Sequence, residues 1–172
     1  MPPLPDSGRD HFPRVWYAPS MTPEIRTTPL EYTIVGHSLR HDPAKGYGEE
    51  IMSLLGRVWS VIKSKDITSD GLNRVAYDGD GTVFAGVVLT GDERQTLAIA
   101  DAAGLEQKPI RLSRYVVWKY VGPYHLIAAT GAAMTKALEA QGLRTGWPMV
   151  EVYGHWTNDE SKLETETFVA IR

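Results

Sequence analysis

RYVVWKYVGPYHLIAATGAAMTKALEAQGLRTGWPMVEVYG, residues 114–154, holds a strand, a helix and a second strand in one run. Residues 111–121 (RLSRYVVWKYV) are rich in β-branched and aromatic residues and read as a strand. Gly122-Pro123 then opens a helix, since proline tolerates the first helical position, where its missing donor is not needed. Across 124–141, Leu126, Ala129, Ala133 and Ala137 form one stripe, with Ile127, Met134 and Leu138 beside it. Gly142 ends that helix as a left-handed cap. Strands at 148–156 and 163–171 complete a β-α-β-β unit.

The first half repeats this order. Residues 31–40 (EYTIVGHSLR) read as a strand, and 47–64 place Ile51, Leu54, Leu55, Val58 and Ile62 at helical spacing. Strands follow at 73–78 and 82–90, joined by the turn signal Gly79-Asp80-Gly81. VAYDG at 75–79 echoes VEVYG at 150–154. The expected architecture is an α+β domain of two pseudo-twofold β-α-β-β repeats, at 29–90 and 111–172, with 91–110 as connector. They would form an antiparallel sheet with helices on one side and a ligand cleft between the repeats. Seven of the eleven prolines lie in the first 29 residues, so residues 1–28 read as an extended arm, packed on the domain from Trp16 onward.

Composition narrows the function. With 18 basic and 21 acidic residues in 172, net charge −3, the chain lacks the basic footprint of a nucleic-acid binder. It has no cysteine, which excludes disulfides, a thiolate nucleophile and zinc–thiolate sites. No apolar run is long enough to span a bilayer, and MPPLPDSGRDHFPR is not a secretory signal, so the expected location is the cytoplasm. DGDG at 78–81 is a turn and not a calcium loop, because the other ligands are missing. His37 and His41 fall in a strand and its exit, where four-residue spacing does not converge. No cofactor or metal is expected.

The last hairpin carries the most chemistry. One face of 149–156 presents Met149, Glu151, Tyr153 and His155, the other Val150 and Val152. In 163–171, Glu164, Glu166, Phe168 and Ala170 alternate with Leu163, Thr165, Thr167, Val169 and Ile171. The Val/Ile faces are expected to pack under the helices. A symmetric loop at 157–162 would set Tyr153 opposite Glu166 and Glu151 opposite Phe168. Such an acidic face is either simply solvated or a ligand surface. Tyr153 and Phe168, with Trp118, Tyr120, Tyr77 and Phe84 on nearby strands, argue for a planar or cationic ligand held by π faces and a carboxylate.

RYVVWKYVGPYHLI, GWPMVEVYG and LETETFVAIR, taken in order, resemble the GyrI-like (gyrase-inhibitor-like) domain, which is also the effector-binding domain of AraC-type regulators. Gly122-Pro123-Tyr124, Glu151-Val152-Tyr153 and Thr165-Glu166 carry the likeness, over residues 29–172. The resemblance implies a cleft for lipophilic, often cationic compounds around a buried glutamate. By position that acid is Glu166, with Tyr153, Glu151, Trp118 and Tyr120 lining the cleft and Trp59 and Trp147 as further ligand-binding candidates whose alternative is a packing or rim role. Only the haem-binding relatives of this fold keep His125 and His155 in view as ligands. WYAPSMTPEIRTTPLEY at 16–32 also resembles the arm of a branch that hydrolyses cyclopropane rings of DNA-alkylating natural products. There Glu166 would activate water and Tyr153 would donate or orient. Three functions follow: a binder of an aromatic or cationic small molecule, such a hydrolase, or a protein-interaction module acting on gyrase or a regulator.

Overall fold

In the computed structural model, which describes residues 21–172, eight antiparallel strands form one sheet. The elements are β1 (Glu24–Arg26), β2 (Leu30–Arg40), α1 (Tyr47–Ser64), β3 (Asn73–Tyr77), β4 (Thr82–Val87), α2 (Glu93–Ala102) and β5 (Glu106–Leu112). There follow β6 (Tyr115–Val121), a 3-10 turn (Tyr124–Leu126), α3 (Ile127–Ala140), β7 (Thr145–Tyr153), a second 3-10 turn (Glu160–Lys162) and β8 (Glu164–Ile171). The strand order is β1-β6-β8-β7-β3-β4-β2-β5. Among the described residues no helix is long and apolar enough to cross a membrane. The expected N-terminal arm lies outside the described residues up to residue 20. Residues 24–26 of it pair with β6 as the edge strand β1.

The two repeats meet at the central pair β3–β7, in which Val75 stands opposite Glu151. A twofold axis through that pair exchanges Val75 with Glu151 and Tyr77 with Tyr153. The echo in the sequence is therefore offset by one: Val75-Ala76-Tyr77 corresponds to Glu151-Val152-Tyr153. Residues 111–121 are not one strand. The chain turns at Ser113-Arg114, so that β5 pairs with β2 while β6 pairs with β8. The connector holds α2, whose N-terminus is capped by the Asp92 side chain accepting from the Gln95 amide at 3.0 Å.

Among the described residues the three helices lie on one side of the sheet. Leu54, Leu55 and Ile51 of α1 pack on Val75, Val83 and Ala85; Met134 and Leu138 of α3 pack on Val116, Trp118, Val169 and Ile171. The opposite side is also a core. Ile34, Ile110 and Leu112 from one end of the sheet and Tyr115 from the other share a cluster with central Ala76, Phe84 and Val150. The sheet thus curls until its ends meet over that face. Gly142 has φ +79°, the left-handed cap expected from the sequence.

Candidate functional site

The register of the last hairpin decides which acid meets which tyrosine. Tyr153 pairs with Thr165, Val152 with Glu166, Glu151 with Thr167 and Val150 with Phe168. This corrects the expected pairing of Tyr153 with Glu166 and Glu151 with Phe168 by one residue. A one-residue slip moves a whole strand's side chains to the other face. Glu151, Tyr153, Thr165 and Thr167 consequently share the helix side, whereas Glu166, Phe168, Val150 and Val152 face the curled interior. The expectation that Val150 and Val152 lie under the helices fails for the same reason, although Val169 and Ile171 do lie there.

Glu151 sits in the seam between the α1 core and the α3 core and is 6% exposed. Its Oε2 accepts two phenolic hydrogen bonds, from Tyr153 at 2.6 Å and from Tyr77 at 2.9 Å. The twofold-related tyrosines thus converge on one carboxylate, at a position that is Val75 in the other repeat. No Lys, Arg or His among the described residues forms an ion pair with it. Burial pushes the Glu151 carboxyl above the usual carboxylate range, against the two phenolic hydrogen bonds, which pull it down. Burial and the neighbouring carboxylate push both tyrosines up, so their hydroxyls stay protonated and donate.

Aromatic groups surround this acid. Tyr124, the first residue of the 3-10 turn, stands edge-on to Tyr153 with ring centroids 5.2 Å apart, and Trp156 lies 6.4 Å beyond it. On the α1 side Tyr47 is edge-on to Tyr77 at 5.6 Å. Trp59 donates from Nε1 to Asn73 Oδ1 at 2.7 Å, and Asn73 is the cross-strand partner of Tyr153. Trp118 and Tyr120 are buried on this same face of β6, under the α3 end, with the Tyr120 hydroxyl donating to the Pro123 carbonyl.

Of the residues singled out in the sequence, Glu151, Tyr153 and Tyr77 are in direct contact, and Trp118, Tyr120 and Trp59 border them. Phe168 and Phe84 are not in this group: both pack in the curled interior, Phe168 against Tyr115. Glu166 is half-buried opposite Lys119 on that other face, so it meets neither tyrosine. Trp147 is half-exposed against Gly79 of the β3–β4 turn. His125 and His155 are exposed, and His41 is bonded through Nδ1 to buried Glu50 at 2.6 Å. No cluster of three or more potential metal ligands occurs among the described residues. Tyr124 and Thr165 stood in the sequence only as motif residues carrying the likeness, and Asn73, Thr167 and Trp156 were not site candidates there. A comparison of the repeats strand by strand finds the two threonines, because their counterparts are Val83 and Ala85.

The model of the GyrI-like small molecule binding domain matches residues 21–172. The chain belongs to that family. Among solved structures it is similar to a conserved protein from Listeria innocua, at 18% identity and TM-score 0.57, over 91% of this chain and 95% of that one. It is similar to a hydrolase from Listeria innocua at 19% identity and TM-score 0.54, over 91% and 94%. SAV2435 bound to tetraphenylphosphonium is a third, at 14% identity and TM-score 0.58, over 89% and 94%. At these identities the likeness shows a common GyrI-like fold. No curated protein matches the sequence.

Proposed function

We propose that this chain captures a lipophilic, aromatic cation against the helix side of β3, β7 and β8, with Glu151 as the counter-charge. The observation that carries the reading is a nine-tenths-buried carboxylate held by two phenols and left without a basic partner among the described residues. Desolvating a lone carboxylate is unfavourable, and a cation brought alongside it recovers that loss. Tyr77, Tyr153, Tyr124, Trp59 and Trp118 supply π faces and edges for the aromatic part of such a ligand. Tetraphenylphosphonium, the ligand of the SAV2435 structure, has this chemistry.

A second reading is hydrolysis of a cyclopropane-bearing electrophile. It is favoured by the way both phenols bind Oε2, while Oε1 takes no hydrogen bond from another described residue and is free to hold a water. The Listeria innocua neighbour described as a hydrolase supports it. In that reaction the water oxygen would bond to a ring carbon and its proton would pass to Glu151. The ring C–C bond would break, its electron pair ending on a conjugated carbonyl oxygen that solvent protonates.

Fluorescence titration and mass spectrometry separate the two. Binding predicts saturable tryptophan quenching by tetraphenylphosphonium, and recovery of both that probe and a panel of cyclopropane-bearing aromatic compounds with unchanged mass. More than one equivalent of a product that has gained one water, from substoichiometric protein, would overturn capture in favour of hydrolysis.

A further inference from the structure

The pseudo-twofold relation makes each repeat a control for the other. In repeat one the pairing runs Val75–Ala85–His37 and Tyr77–Val83–Leu39 across β3, β4 and β2. In repeat two the equivalent rows are Glu151–Thr167–Trp118 and Tyr153–Thr165–Tyr120 across β7, β8 and β6. Val75, Val83 and Ala85 form a fully buried aliphatic surface under α1. Their counterparts Glu151, Thr167 and Thr165 are equally buried but polar, with Thr165 at 0% exposure.

Thr165 is the outlier in this set. Its Oγ1 is buried and has no hydrogen-bond partner among the described residues. The hydroxyls of its two cross-strand partners donate elsewhere, Tyr153 to Glu151 and Tyr120 to the Pro123 carbonyl. A buried hydroxyl without a partner destabilises a fold in a way that valine, used at the same place in repeat one, does not. Thr165 is also a diagonal neighbour of Glu151, ~7–8 Å away in an antiparallel sheet. Tyr124, edge-on to Tyr153, and the exposed Trp156 beside Tyr124 belong to a turn and a loop at this end of the site.

We infer that Thr165 is a neutral hydrogen-bonding subsite beside the carboxylate, so that the preferred ligand is an aromatic cation bearing a hydroxyl, carbonyl or amide group. The inference rests on the reading of Glu151 as counter-charge. Two probes that differ in one group test it: tetraphenylphosphonium, which has no hydrogen-bonding atom, and (4-hydroxyphenyl)triphenylphosphonium. Wild type should prefer the hydroxylated probe by about fivefold to tenfold, the worth of one neutral hydrogen bond. Thr165→Val should abolish the preference while keeping affinity for the plain probe and melting no lower than wild type. Thr165→Ser should retain the preference. Equal affinity of wild type for both probes, or a preference that survives Thr165→Val, would overturn the subsite alone. Failure of both probes to bind, or undiminished binding of both by Glu151→Gln, would overturn the counter-charge reading and the subsite with it.

Discussion

Glu151→Gln is expected to weaken tetraphenylphosphonium binding by at least about thirtyfold, because a desolvated ion pair loses one of its charges. Glutamine keeps the volume and an oxygen to accept from Tyr77 and Tyr153, so the aromatic walls stay in place. The free protein should be no less stable than wild type, since the substitution removes a buried charge that has no basic partner among the described residues. Glu166→Gln is the matched control and should change affinity less than about twofold. The side chain of Glu166 shares the far face with Lys119 and is separated from the two tyrosines by the sheet itself. Calorimetric titration of the three proteins checks both statements.

Gly86→Val should destabilise the fold by at least about 3 kcal/mol, a large share of the ~5–15 kcal/mol of a typical domain. Gly36 and Gly86 face each other directly across β2 and β4. A Cβ on Gly86 would overlap the Val35 carbonyl oxygen and stand 2.9 Å from Gly36 Cα. Backbone cannot move aside as a flexible side chain can, and this pair is packed on both faces: the α1 and α2 cores lie on one side and the curled interior on the other. The strands would have to separate. Gly56→Ala, on exposed helix surface with nothing near its Cβ direction, should instead stabilise by about 0.5–1 kcal/mol. Urea denaturation of the two variants reads both effects.

Local signals in the sequence suffice for the doubled β-α-β-β pattern, but not for β1 in the arm, α2 and β5 in the connector, or the break at Ser113-Arg114. The stripes at 47–64 and 124–141, the hairpin glycines and the doubled β-α-β-β pattern each rest on neighbours along the chain. Glu151, Tyr153 and Tyr77 could be gathered because alternation puts Glu151 and Tyr153 on one face of the last hairpin and Tyr77 is an aromatic of a nearby strand. The choice between Glu151 and Glu166 could not be read in this way. Register is fixed by alternation only where one face is apolar and the other wet, and this sheet buries both of its faces. Thr165, Val169 and Ile171 on one side of β8 and Phe168 and Ala170 on the other are all core-compatible. The loop between β7 and β8 is also asymmetric, with the Gly154 amide donating to the Glu164 carbonyl before the second 3-10 turn. The burial of the face opposite the helices by the curl of the sheet is a long-range property, and so is the pairing of Gly36 with Gly86.

Calorimetric titration of tetraphenylphosphonium into wild type and Glu151→Gln across pH 4 to 8 tests the central claim most directly. Burial raises the Glu151 carboxyl above its ordinary range, so the proton lost on ionisation leaves at a higher pH than from a free glutamate. A cation selects the ionised form, and wild-type affinity should therefore fall as pH drops through that raised value, approaching tenfold per unit below it. Above it the affinity should be flat. Glu151→Gln should be weak throughout, without that step. Parallel profiles for the two proteins, or wild-type affinity that rises as Glu151 is protonated, would contradict a buried carboxylate as the counter-charge.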